Sequence, residues 1–329
     1  MRLIVLMLLL AQSLAFAFTS QAAPAAQKIV IAFAGFNERY GVLFVAKDQH
    51  FFEEQGLEAQ IVQVRSGPIA ISALAAGDAH LYTVSATGSS LGAMAGGLDV
   101  VFIGGLINKL DGDFVVSTKI KSPEDLKGKT LGVQSMGGGI WMYTMLALDH
   151  WGLDPERDKI KFRVVGDQSV IVQALTTGIV DGAFLGRTFS KMAERQGSYI
   201  LADIAKADIP FQGTGVLARR SFVERSPETT ERALKVLGKA IGFLQEPANK
   251  PAVMRSLVKW LRLPRLEDAE TGYETMKTLY DRRIIPTKEG IRNALRILSK
   301  VDGKFARLRA EDLVDDRIVR KLEREGFFK

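Results

Sequence analysis

The feature that most constrains this chain is a duplicated unit. Residues 173–189, QALTTGIVDGAFLGRTF, read as a helix end at Ala174-Leu175, a glycine stop at Gly178 and a short apolar strand from Val180 to Leu185. The same order occurs earlier in SALAAGDAHLYTVSATG: Ala73-Leu74, Gly77, then an apolar run to Ser85. Glycine closes a helix in the left-handed conformation, and an apolar run of this length suits a strand covered on both faces. Both strands run straight into small, polar or charged residues, Ser85-Ala86-Thr87-Gly88 in one copy and Gly186-Arg187-Thr188 in the other. Ligands of open α/β sheets gather outside the carboxyl ends of the strands. Two such units imply two lobes, each offering one lip.

At 329 residues the chain has room for two domains of ordinary size, and 47% hydrophobic with 25% charged residues is a globular composition. Residues 1–23 stand apart as a signal peptide: Arg2, an apolar run from Leu3 to Phe18, then Ser20-Gln21-Ala22 in small-x-small form. That run is short for a membrane span, so cleavage and a soluble periplasmic product are expected. Cysteine is absent, which removes disulfides, thiolate zinc sites, cysteine nucleophiles and a lipid-anchored cysteine. A large core can do without disulfides. The net charge of +7 is spread among acidic residues rather than clustered. It reads as solvated faces with a mild attraction for small anions, and nothing resembles a nucleic-acid module.

In chain order, Lys28–Ala34 is a first strand, followed by a helix from about Gly41 to Gln55. Ala59–Val64, Ala79–Val84, Val100–Gly104 and Phe114–Ser117 complete a first α/β lobe. Ser122-Pro-Glu-Asp125 is a helix start with serine as cap and proline first. The strand Thr130–Val133, a glycine turn at 134–139, a helix from Ile140 to about Trp151, and the strand Ile160–Val165 follow. Gly213–Ala218 reads as a strand returning to the first lobe, so the crossings are placed near 119–123 and 209–215. From Ser226 the chain is helical scaffold, with Leu234, Leu237, Ile241 and Leu244 on one stripe.

Gly88-Ser89-Ser90-Leu91-Gly92 matches a nucleophile elbow, but His50, His80 and His150 are the only histidines and none is expected at a lip. No enzyme is expected. Asp111-Gly-Asp113 falls short of a calcium shell and reads as a solvated loop; no metal and no cofactor are called for. Glycines 137–139 before a helix let the backbone approach a ligand with free N–H groups, worth about 0.3–1 kcal/mol for an anion at each helix end. Arg187 at a strand end could grip a carboxylate, sulfonate or phosphate through two parallel hydrogen bonds. Phe36, Tyr40 and Trp141 flank the same cleft.

On LFVAKDQHFFEEQGLEAQIV (43–62), SALAAGDAHLY (72–82), SPEDLKGKTLGV (122–133) and ALTTGIVDGAF (174–184), the chain resembles the substrate-binding proteins of ABC importers, in the nitrate/sulfonate/taurine group. The resemblance implies a type II periplasmic-binding fold: two α/β lobes joined by a two-strand hinge, with a cleft that closes on ligand. Lobe 1 would comprise 28–118 and 216–329, and lobe 2 would comprise 119–215. Ligand contacts would come from the loops after the strands. These are Phe36, Asn37, Arg39 and Tyr40; Ser66 and Gly67; Ser85, Ala86 and Thr87; Ser135, Gly137, Gly138 and Trp141; Gly166 and Gln168; and Arg187 with Thr188. The family pattern usually has proline where Val42 stands and glycine where His50 stands.

The expected function is a periplasmic receptor, a monomer, that captures a small organic anion such as a sulfonate, taurine, nitrate or aromatic carboxylate and delivers it to an inner-membrane permease. The alternative is a protein of the same fold that binds, or synthesises, a pyrimidine precursor of thiamine.

Overall fold

The computed structural model describes residues 26–35 and 37–328; the expected signal segment 1–23 and Phe36 lie outside the described residues. Two five-stranded sheets form the frame. The first holds β1 (Gln27–Ala34), β2 (Leu57–Val64), β3 (Leu81–Val84), β4 (Val100–Lys109) and, from far along the chain, β10 (Pro210–Arg219). The second holds β5 (Asp113–Val116), β6 (Thr130–Val133), β7 (Lys161–Val164), β8 (Gly182–Leu185) and β9 (Tyr199–Asp203). Their strand orders are β2-β1-β3-β10-β4 and β7-β6-β8-β5-β9. In each sheet four strands run in one direction and one, β10 in the first and β5 in the second, runs antiparallel to both of its neighbours. The duplication read from the two glycine-stopped units is therefore a duplication of whole sheets.

The parallel strands lead into helices: α1 (Gly41–Asp48), α2 (Gly67–Ala76) and α3 (Gly88–Ala95) in the first half, and α4 (Gly139–His150), α5 (Gln168–Thr176) and α6 (Arg187–Arg195) in the second. Helices α7 (Pro227–Gln245), α8 (Lys250–Leu261), α9 (Glu270–Leu279), α10 (Lys288–Val301) and α11 (Arg317–Arg324) follow β10. The expected stripe on α7, Leu234, Leu237, Ile241 and Leu244, is buried in the same cluster as Ile29, Ile31 and Phe33 of β1. Among the described residues, no helix is long and apolar enough to cross a membrane.

Strand pairing corrects one boundary. Phe114–Ser117 was expected in the first lobe, yet β5 pairs with β8 and β9 in the second sheet. The first crossing thus lies at 110–112 rather than 119–123. The second lies at 208–209, just ahead of β10. The crossings run side by side, with the Leu110 amide donating to the Ile209 carbonyl at 3.0 Å. Burial of every residue in β5 says that the strand is covered, not which sheet covers it. Gly112 makes the early crossing feasible: its φ is +133°, and a Cβ there would stand 2.6 Å from the Phe184 ring.

The first helix is shorter than its pattern suggested. His50 adopts the left-handed conformation, φ 58°, and one helical turn resumes at Phe51. This is the position where the family pattern favours glycine, and a non-glycine residue there costs about 1–2 kcal/mol. At Val42, the other departure, the amide that a proline would lack donates to the Tyr280 hydroxyl at 3.1 Å. Helix α6 and strand β9 carry no expectation from the sequence; in α6 charged residues dilute the apolar pattern, and β9 is a run of only five residues.

Candidate functional site

A small cavity, partly open to solvent, lies between the carboxyl ends of the two sets of parallel strands. Five helices begin at its wall: Ser66-Gly67 opens α2, Thr87 caps α3, Gly138-Gly139 opens α4, Asp167-Gln168 opens α5 and Gly186 caps α6. Each helix end turns a partial positive charge toward the space, although the Ser89, Gly186 and Thr188 amides are already bonded to Gly137, Gln168 and Glu38. At about 0.3–1 kcal/mol apiece, five ends cannot supply the roughly 8 kcal/mol of a micromolar ligand. A fixed charge has to join them.

That charge is Arg39. Asn37 accepts the Arg39 amide at 3.0 Å, and the Tyr280 hydroxyl donates to the Arg39 carbonyl at 2.9 Å, which pins the turn after β1. The guanidinium is 5% exposed and lies 4.9 Å from the centre of the Tyr143 ring. Among the described residues its Nη1 and Nη2 have no hydrogen-bond partner, and Asp111 stands 3.7 Å away. A buried guanidinium with two idle nitrogens at a cavity wall is a donor pair waiting for an acceptor.

Rings and hydroxyls complete the wall. Tyr40, Tyr82, Tyr143 and Phe184 line it together with Ser85 and Gln168. Burial pushes the Tyr40 and Tyr82 phenols well up, so both stay protonated at neutral pH. Tyr40 donates to the Ala34 carbonyl at 2.5 Å. Tyr143, from the second half, meets Ser85 of the first, and Ser85 also donates to the Gly213 carbonyl on β10.

The halves touch at further points around the cavity. The Ser89 amide donates to the Gly137 carbonyl at 3.2 Å, and a Cβ on Gly88 would stand 3.0 Å from that same oxygen. Glu38 is buried beside the start of α6, where one carboxylate oxygen accepts the Thr188 amide at 3.3 Å and the other has no partner. Desolvation pushes the Glu38 carboxyl above its ordinary value.

Of the residues singled out from the sequence, Asn37, Arg39, Tyr40, Ser66, Gly67, Ser85, Thr87, Ser135, Gly138 and Gln168 line this cavity. Ala86 is buried behind the wall, its amide bound to the Gln212 carbonyl. Gly137 serves the contact between the halves, and Gly166, φ +121°, turns the chain into α5. Trp141 points elsewhere: it packs edge-on to Phe162 at 6.3 Å and lines a separate groove with Met145 and Ile297. Helical geometry explains the exchange. Ile140 and Tyr143, three apart, share the face of α4 that reaches the cavity, and Trp141 lies off that face.

Arg187 does not reach the cavity either. As the first residue of α6 it is held by Asp113, Asp203 and Asp111, at 3.3 Å from Asp113 and 3.7 Å from Asp111. Thr188 turns its hydroxyl toward α9, where a Cβ on Gly272 would stand 3.1 Å from it. The expectation of a solvated Asp111-Gly-Asp113 loop is also corrected: both carboxylates are buried, 5% and 2% exposed, Asp113 hydrogen-bonded by Arg187 and Ser190 and Asp111 lying 3.7 Å from both Arg39 and Arg187. Burial raises the Asp113 carboxyl, with Ser190 and Arg187 pulling the other way. The elbow-like serine, Ser90, is committed to capping: it donates to the Ser85 carbonyl at 2.8 Å and accepts the Thr87 amide at 2.9 Å. Tyr82, Tyr143 and Phe184, which carry no site expectation from the sequence, also line the cavity.

The family model described as NMT1/THI5-like matches residues 37–250. The chain is 24% identical over 217 residues to "Putative binding protein YtlA" of Bacillus subtilis, covering 64% of either chain, so it spans just under two thirds of that relative. It is 24% identical over 295 residues to a "Putative aliphatic sulfonates-binding protein" of the same organism, covering 87% of this chain and 86% of that one. Among solved structures, the periplasmic aliphatic sulphonate binding protein SsuA from Escherichia coli superposes with a TM-score of 0.73 at 18% identity, over 89% of this chain and 93% of that one. The periplasmic nitrate-binding protein NrtA from Synechocystis PCC 6803 gives 0.70 at 13% identity, over 92% and 90%. The fold is that of two-lobed periplasmic binding proteins of type II.

Proposed function

Taking as premise that the chain belongs to the NMT1/THI5-like family, we propose that it is the extracytoplasmic substrate-binding component of an ABC importer. It captures a small organic anion between its lobes and delivers it to a membrane permease. The carrying observation is Arg39, a buried guanidinium with two unpartnered nitrogens at a cavity where five helices begin. Charge-assisted hydrogen bonds contribute about 1.5–3 kcal/mol each, enough with the helix ends and ring burial to reach micromolar affinity. Because both lobes supply the wall, only the closed arrangement makes every contact. A permease can then distinguish loaded from empty protein by shape. Relatives named as sulfonate-binding and nitrate-binding proteins support the ligand class.

Catalysis by Ser90 would need a base at its hydroxyl. That hydroxyl is committed to main-chain groups, and the Nδ1 of His80 accepts the Val30 amide. The binding reading is the better supported one.

A thermal-shift panel of alkyl and aryl sulfonates, nitrate, aromatic carboxylates and thiamine precursors tests it. Stabilisation follows RT ln(1 + [L]/Kd), so a ligand at a hundred times its Kd adds about 2.7 kcal/mol. At least one anion of the panel should raise the melting temperature without being consumed. Chemical turnover of the hit would favour an enzyme, and stabilisation by neutral or cationic compounds alone would overturn the anion reading.

A further inference from the structure

Resting on that reading of the cavity, we infer that the ligand carries a hydrogen-bond donor, an N–H or O–H group, in addition to its anionic end, on a small planar body. The inference comes from counting which protons at the wall are already committed. A carbonyl oxygen can only accept, so Tyr40, bonded to the Ala34 carbonyl, has spent its single proton on the main chain. Tyr143 lies against two oxygens, Ser85 Oγ and, at 3.4 Å, the Gly213 carbonyl. If Ser85 gives its proton to Gly213, Tyr143 must donate to Ser85. If Ser85 instead donates to Tyr143, the Tyr143 proton goes to Gly213. Either way it is used.

Both phenol oxygens therefore offer lone pairs, and no proton, to whatever occupies the space they line. Asp167, at the exposed mouth, adds a carboxylate to the acceptors. The donors sit elsewhere on the wall. They include the Arg39 nitrogens, the free helix N–H groups, the amide nitrogen of Gln168, whose oxygen is taken by the Gly186 amide at 2.6 Å, and the Tyr82, Ser66, Ser89 and Ser135 hydroxyls, which can donate or accept. A ligand that only accepts, such as a simple inorganic anion or a methyl-terminated sulfonate, meets the donors but brings no proton to the remaining lone pairs of Tyr40 and Tyr143, whose own protons are already used within the protein. A ligand that supplies that proton gains a hydrogen bond the other lacks. Tyr40, Tyr82, Tyr143 and Phe184 provide the faces against which a planar body lies.

The test is a matched pair titrated calorimetrically into the full mature chain: 4-aminobenzenesulfonate, whose amine is neutral at pH 7, and 4-methylbenzenesulfonate, similar in shape but without the donor. The amino compound should bind about tenfold tighter, the value of one hydrogen bond. In Tyr143→Phe, which keeps the ring beneath Arg39, that preference should fall to about threefold or less. Equal affinities, or a preference for the methyl compound, would overturn the donor inference while leaving the anion site standing. If no anion binds at all, the proposed function falls and takes this inference with it.

Discussion

The two lips of the cavity start from the same sequence pattern and end in opposite chemistry. In the first lobe, β3 runs into Ser85-Ala86-Thr87, and two of those hydroxyl-bearing residues line the cavity. In the second, β8 runs into Gly186-Arg187-Thr188, and only the glycine does. Arg187, the residue with the most obvious capacity to grip an anion, turns to Asp111, Asp113 and Asp203. The guanidinium of Arg39, an inconspicuous residue in the turn after β1, keeps one carboxylate at 3.7 Å, and its Nη1 and Nη2 have no hydrogen bond among the described residues. The lesson is that a charged side chain's role follows from its counter-charges. A strand-end position says only where the backbone goes.

The comparison can be broken most forcefully at Arg187. Replacing it with alanine leaves Asp113 buried without its cation and Asp111 with Arg39 alone at 3.7 Å, and breaking such a network by removing one partner costs about 3–5 kcal/mol when fully buried. Arg187 is partly exposed, so a loss of about 3 kcal/mol in denaturant unfolding is the expected outcome. A loss below about 1 kcal/mol would mean that the network contributes only as a surface ion pair does.

A smaller effect sharpens the role of the contact between lobes. Gly88→Ala adds a methyl group 3.0 Å from the Gly137 carbonyl, and the lobes must then part slightly to relieve it. Ligand dissociation should quicken about fivefold, a cost near 1 kcal/mol, with the unfolding midpoint hardly changed. An unaltered off-rate in stopped-flow measurements would show that this contact is dispensable for closure.

Much of this architecture was legible in the residues. Glycine stops followed by apolar runs located β3 and β8, and the wall loops followed from the strand ends. Three things were not legible, each for a physical reason. Sheet membership of β5 depends on partners distant in sequence, and its all-buried DFVV pattern suits either sheet. The choice of Tyr143 over Trp141 depends on the rotation of α4 about its axis, set by packing against Phe162 on one side and Phe184 on the other. The fates of Asp111 and Arg187 depend on each other: alone, either reads as solvent-facing or ligand-facing, and only their proximity in space pairs them.

The most direct test of the account is the affinity of the best anion from the panel for wild type, Arg39→Met and Arg187→Ala, measured by calorimetry under native conditions. Loss of two charge-assisted bonds should weaken Arg39→Met about a hundredfold or more, whereas Arg187→Ala should stay within about threefold of wild type. Full affinity in Arg39→Met, or a collapse of affinity in Arg187→Ala while that variant remains folded, would contradict it.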